Sequence, residues 1–148
     1  MAAWWAADEA GGPRAASLLS STAVPAEPTS LRGARVLIVD DHGDSLDMFV
    51  QAVEFCGASA LGARSAQEAA AHLAEVDVVV TDLAMPDRDG IWLLDQVRRL
   101  PRRVRVLAVT GVAAQHNARL AAAPFDRILL KPLDPFRLCD EIEAVLRE

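Results

Sequence analysis

Three aspartates, a threonine and a lysine stand where short apolar runs stop. RVLIVDD ends on Asp40 and Asp41, VDVVVTD on Asp82, RVRVLAVTG on Thr110 and Gly111, and DRILLK on Lys131 before Pro132. A charge at the end of a buried strand is costly unless something compensates it. Three carboxylates gathered together also repel one another, and a hard dication relieves that repulsion. Mg²⁺ fits such a set, because it takes oxygen ligands, needs one or two carboxylates and keeps waters or phosphate oxygens in its other positions. Lys131 is a second compensation. It is the single lysine in a chain with fourteen arginines, and a compact ammonium reaches a carboxylate or phosphoryl oxygen as a point charge. Thr110 can donate its hydroxyl to an oxygen arriving at Asp82, and Gly111 leaves room beside it.

The elements that must position these residues follow from periodicity. Strands are expected over 35–41, 59–63, 76–82, 103–111 and 126–131. Helices are expected between and after them. Residues 45–57 place Leu46, Phe49, Val50 and Val53 on one face and close at Gly57. Residues 65–75 begin with Ser65 as N-cap and Glu68 at the capping-box position. Further helices cover 90–100, stopped by Pro101, and 113–123, stopped by Pro124. The last spans 134–148, with Asp134 as N-cap, Pro135 at the first helical position and a stripe of Leu138, Ile142, Val145 and Leu146. Five βα units in succession imply an α/β fold: a doubly wound parallel sheet between two helical layers. The first, third and fourth strands are apolar on both faces, as central strands covered by helices are. Parallel strands align their C-terminal ends along one edge, where ligands of such sheets bind. The five chemical residues converge there.

The chain has 148 residues, 52% of them hydrophobic and 24% charged, enough for one domain with a real core. A net charge of −6 argues against non-specific nucleic-acid binding, which relies on cations neutralising phosphates. No apolar run approaches the length of a membrane span. The start, MAAWWAADEAGG, lacks a basic segment and carries Asp8 and Glu9 where a signal peptide needs an apolar core. A cytoplasmic location is expected. Cys56 and Cys139 have no metal-ligand spacing and read as small apolar residues in a reducing compartment. Residues 1–31 are rich in Ala, Ser, Thr and Pro and read as a disordered tail or linker, with Trp4 and Trp5 as an uninformative start; the folded domain is expected over 32–148.

The motifs VLIVDD, DLAMPDRDG, VTG and LLKP, in that order and each on the expected strand, resemble the receiver domain of two-component response regulators over about residues 33–147. The resemblance implies a flavodoxin-like (βα)5 three-layer sandwich with strand order 2-1-3-4-5. It implies that Asp82 is the phosphoacceptor, attacking a phosphohistidine to form an acyl phosphate. Asp41 and Asp82 would hold Mg²⁺ with the backbone carbonyl of Ala84, Asp40 would orient a metal-bound water or bind the ion directly, and Thr110 and Lys131 would bind the phosphoryl oxygens. The protein would be a signalling switch rather than an enzyme, one that assists its own phosphorylation and dephosphorylation. Ending after its last helix, it is expected to act as a single-domain regulator without a DNA-binding output. The partners implied are a histidine kinase or histidine phosphotransfer protein, a downstream protein target and, as an option, a second copy of the chain, with no nucleic acid and no membrane. The signal would run through the face formed by the fourth helix, the fifth strand and the fifth helix. The family often carries Tyr or Phe three residues before the strand-five lysine. Ile128 stands there, so a readout different in detail is expected.

Other features compete for attention. The alternative function is a receiver-like interaction module that is never phosphorylated. A haloacid-dehalogenase-type phosphatase needs a second aspartate two residues after the nucleophile, and that position is Ala84. Neither GxxxxGK[ST] nor GxGxxG occurs, so nucleotide binding has no support. Arg98, Arg99, Arg102, Arg103 and Arg105 read as cations at a helix C-terminus followed by a solvated loop. His42 reads as a loop residue beside a hard-cation site, and His72 and His116 have no evident partners.

Overall fold

A computed structural model describes residues 30–111 and 123–148. The helix expected over 113–123, with His116, and nearly all of the expected tail lie outside the described residues. The described elements are β1 (Arg35–Val39), α1 (Gly43–Phe55), β2 (Ser59–Ala63), α2 (Ala66–Ala70), a 3₁₀ turn (Leu73–Glu75), β3 (Val78–Asp82), α3 (Gly90–Arg98), β4 (Arg105–Thr110), β5 (Arg127–Leu130) and α4 (Pro135–Leu146). All strand pairs are parallel, and the order is β2-β1-β3-β4-β5. The sheet is thus the doubly wound, flavodoxin-like one expected.

Strand alternation divides the core in two. Val36, Ile38, Val78, Val80, Leu107 and Val109 face α1 and α4, whose Leu46, Phe49, Val53, Leu138, Ile142 and Val145 are buried against them. Leu37, Val39, Val79 and Val106 face the other way, onto Ala66, Ala69, Leu73, Leu93, Leu94 and Val97. β1, β3 and β4 are therefore apolar on both faces, as strands covered by two helical layers must be.

Local chemistry fixes the element ends. Ser65 Oγ accepts the Glu68 N–H at 3.0 Å, as the capping box predicts. The Glu68 carboxylate, however, takes the N–H of Arg64 rather than that of Ser65. The helix expected over 65–75 is α-helical only to Ala70, and its last turn tightens into the 3₁₀ turn that brings Leu73 into the core. Asp134 Oδ1 accepts from the Phe136 N–H at 2.8 Å, with Pro135 in the first turn. Leu31, assigned by composition to the tail, is 1% exposed and sits in the core, its N–H bonded to the Cys56 carbonyl at 2.9 Å.

The edge at the N-terminal ends of the strands is tied by charge. Asp77 accepts three hydrogen bonds from Arg35: from its backbone N–H at 2.9 Å, from Nε at 3.2 Å and from Nη2 at 3.0 Å. Burial pushes the Asp77 carboxyl up, but the Arg35 hydrogen bonds and the charges of Arg35 and Arg102 outweigh it and hold its pKa below the ordinary value. The arginines expected to be solvated are tied in as well. Arg102 donates to the carbonyls of Ala74 and Val76, Arg98 to that of Pro124 and Arg105 to that of Glu148, and Arg103 lies 3.6 Å from Asp126.

Cys56 and Cys139 are both free and buried, as expected of small apolar residues. Burial, with a hydrogen bond to Cys56, pushes the Cys139 thiol up. Among the described residues no helix is long and apolar enough to cross a membrane.

Candidate functional site

Asp82 is the last residue of β3, and its side chain is buried at 6% exposure. The strand runs into the interior because Val78, Val79 and Val80 are covered on both faces, so the carboxylate at its end needs partners. Each oxygen has one. Oδ2 accepts from Lys131 Nζ at 3.0 Å, and Oδ1 accepts from the Ala84 N–H at 3.1 Å. Lys131 follows β5, and its backbone N–H is anchored on the Thr110 carbonyl at 2.8 Å.

The neighbouring strand ends bring in the rest. Asp40 follows β1, its N–H bonded to the Ala63 carbonyl, and is 3% exposed. Its Oδ1 accepts the His42 N–H at 2.9 Å, a short turn that leads the chain into α1. Register pairs Asp82 with Val109, so Thr110 stands one residue beyond Asp82 on the adjacent strand; it is 2% exposed and donates to the Gly111 carbonyl at 3.3 Å. The β3–α3 loop returns close to the site. Asp89 Oδ1 caps α3 by accepting the Trp92 N–H at 3.0 Å, and a Cβ on Gly90 would stand 2.9 Å from the Asp82 carbonyl oxygen. Asp87 in that loop has φ +68°, a conformation Asp tolerates better than most residues.

Asp40, Asp41, His42 and Asp82 each offer a ligand atom, all within 4.8 Å of one another. Asp41 Oδ1 is a buried oxygen that accepts no hydrogen bond, and His42 Nδ1 lies 3.3 Å from it without hydrogen-bond geometry. Three carboxylates face the single ammonium of Lys131, which leaves excess negative charge in a confined space. This donor set fits a divalent cation of oxygen preference such as Mg²⁺. Ala84 is exposed and meets Asp82 through its N–H. Of the residues singled out in the sequence, Asp40, Asp41, Asp82 and Lys131 are together, with Thr110 at the adjoining strand end.

Two neighbours escaped the sequence reading. His42 stands in the acidic group, and Arg64 Nη2 donates to the Asp41 carbonyl at 3.4 Å from the end of β2. Their only sequence signal is position: each follows a strand end of the same edge.

Comparison with known proteins agrees with this geometry. The model of the response regulator receiver domain family matches residues 36–143. The chain is similar to an uncharacterized 14.6 kDa protein in the sodA1 3′ region of Leptolyngbya boryana, 34% identical over 108 residues, 70% of this chain and 82% of that protein. It is 30% identical over 115 residues to the response regulator receiver protein CpdR of Brucella abortus, 76% of this chain and 96% of that one. Among solved structures, a CheY-like response regulator receiver domain protein from Methanospirillum hungatei superposes with a TM-score of 0.70 at 31% identity, covering 77% of this chain and 94% of that one.

Proposed function

Because the chain belongs to the family of response regulator receiver domains, we propose that Asp82 accepts a phosphoryl group from a phosphohistidine of a histidine kinase or phosphotransfer protein. An oxygen of the Asp82 carboxylate attacks phosphorus, the P–N bond breaks, and its electron pair returns to the leaving imidazole. The observation that carries this reading is the pairing of buried Asp82 with Lys131 at 3.0 Å. The Ala84 N–H holds the other oxygen and fixes the plane of the nucleophile. As charge moves from the carboxylate to the phosphoryl oxygens, the Lys131 ammonium follows it, and the Thr110 hydroxyl turns from the Gly111 carbonyl to the same oxygens. Asp40, Asp41 and Asp82, with the Ala84 carbonyl, would hold Mg²⁺. When bound, the ion neutralises the acidic pocket and the incoming phosphate charge.

The protein works as a signalling switch rather than a metabolic enzyme. Movement of Thr110 shifts the population of a protein-binding face that includes β5 and α4, where a downstream protein docks. Ile128 on β5 is 42% exposed and contributes an aliphatic rather than an aromatic surface to that readout. The cytoplasm is the compartment in which such a partner kinase would present its phosphohistidine.

The test is intact mass after incubation with Mg²⁺ and acetyl phosphate, alongside Asp82→Asn. Gain of one phosphoryl group by the wild type alone is expected. No gain under conditions that label a control receiver would leave an interaction module acting in its unmodified form.

A further inference from the structure

We infer that His42 completes the cation site through its imidazole nitrogen and gives the pocket a preference for a nitrogen-accepting divalent cation, such as Zn²⁺, over Mg²⁺. The inference rests on the reading of the acidic pocket as a cation site and adds which ion it selects.

His42 is not held by packing. Its side chain is 71% exposed, and as N-cap of α1 it makes no side-chain capping bond. Its backbone is nevertheless fixed, because its N–H is bonded to Asp40 Oδ1 and its carbonyl accepts the Leu46 N–H at 3.0 Å. This anchoring aims the ring over the acids. Nδ1 lies 3.4 Å from Asp40 Oδ1 and 3.3 Å from Asp41 Oδ1. Its ligand atom belongs to the same 4.8 Å group as those of Asp40, Asp41 and Asp82. Donors on opposite sides of an ion with bonds of about 2.1 Å stand about 4.2 Å apart, so small side-chain movements close the set on one ion.

The chemistry of the added donor decides which ion gains. An all-oxygen set suits Mg²⁺, whereas imidazole suits Zn²⁺ and its neighbours late in the first transition series. The buried, unpartnered Asp41 Oδ1 remains available as an oxygen ligand to either ion. The ring is exposed and reaches the pocket without disturbing the core, so removing it changes the donor set and leaves the fold intact.

Isothermal titration of the full chain with Mg²⁺ and, separately, with Zn²⁺ tests this in the wild type, His42→Ala and Asp41→Ala. The ratio of Zn²⁺ to Mg²⁺ affinity is expected to fall by about tenfold or more in His42→Ala, the cost typical of losing a group that supports a metal site. Asp41→Ala is expected to weaken both ions, which locates Zn²⁺ in the pocket. Electron spin-echo modulation of bound Mn²⁺ gives a direct signature: nitrogen coupling in the wild type that His42→Ala removes. If both ions bind the wild type and His42→Ala alters neither the ratio nor the spectrum, the His42 assignment falls while the cation site stands. If Zn²⁺ binding survives Asp41→Ala undiminished, the ion sits elsewhere and the assignment also falls. If neither ion binds, the cation site falls and the inference with it.

Discussion

Asp82 and Lys131 lie 49 residues apart in sequence and 3.0 Å apart in space, the carboxylate buried and the ammonium one-third exposed. The sheet order makes this contact. β3 and β5 flank β4, and the Lys131 N–H is anchored on Thr110 at the end of that intervening strand. Lys131→Ala is expected to slow labelling by acetyl phosphate by about a hundredfold, the scale of losing one preorganised charge-stabilising donor. A mass-spectrometric time course measures it. Unchanged kinetics would remove Lys131 from the chemistry.

Mg²⁺ is expected to raise the melting temperature. A ligand that binds only the folded state stabilises it by about 2.7 kcal/mol at a concentration of 100 Kd. Asp41→Ala should abolish most of the shift. Thermal unfolding with and without the ion, in both proteins, decides the point.

Asp77 gives a pH dependence whose sign is fixed. Its folded pKa is depressed, so its contribution is present above the ordinary carboxylate pKa. That contribution drains away as pH falls through the lower folded value. Asp77→Ala should cost about 1–3 kcal/mol near neutrality, since it strips Arg35 of its acceptors. The gap between wild type and variant should close in acid, as urea unfolding at several pH values will reveal. A gap independent of pH would contradict this account.

Gly90 leaves no room for a side chain. A Cβ there would lie 2.9 Å from both the Asp82 carbonyl oxygen and Leu83 Cδ2. Gly90→Ala is expected to destabilise the fold by about 1–3 kcal/mol, the usual cost of overpacking. It should also slow phosphorylation by shifting the backbone of Asp82. Denaturation and labelling rate together check both effects.

Removing residues 1–29 should leave stability nearly unchanged, whereas Leu31→Ala should cost about 2–5 kcal/mol as a fully buried leucine truncated to a methyl. Comparing the two by urea unfolding locates the working start of the domain. A large loss from the deletion alone would show that the earlier residues pack on the core.

The strand order and the pocket's acids were legible because both leave side-chain signatures: apolar runs, then charge. The arginines from Arg98 to Arg105 were not. Their acceptors are largely backbone carbonyls, such as those of Val76, Pro124 and Glu148, and a carbonyl leaves no mark in a sequence. α1 begins at Gly43, two residues before its apolar face does, because a backbone turn onto Asp40 starts it. Leu31 was lost for a related reason: a single apolar residue ahead of the first strand has no period to betray its burial.

β3 carries an aspartate at each end, and the two have opposite fates. Asp77, just before Val78, is clasped by an arginine fork, whereas Asp82 is held by one flexible lysine. At about 3.3 Å per residue, the five residues between them separate the two carboxylates by about 17 Å. One end works as a rivet and the other as a latch. A latch can be reset many times only if the frame around it does not rack, and the same strand supplies both the frame and the latch.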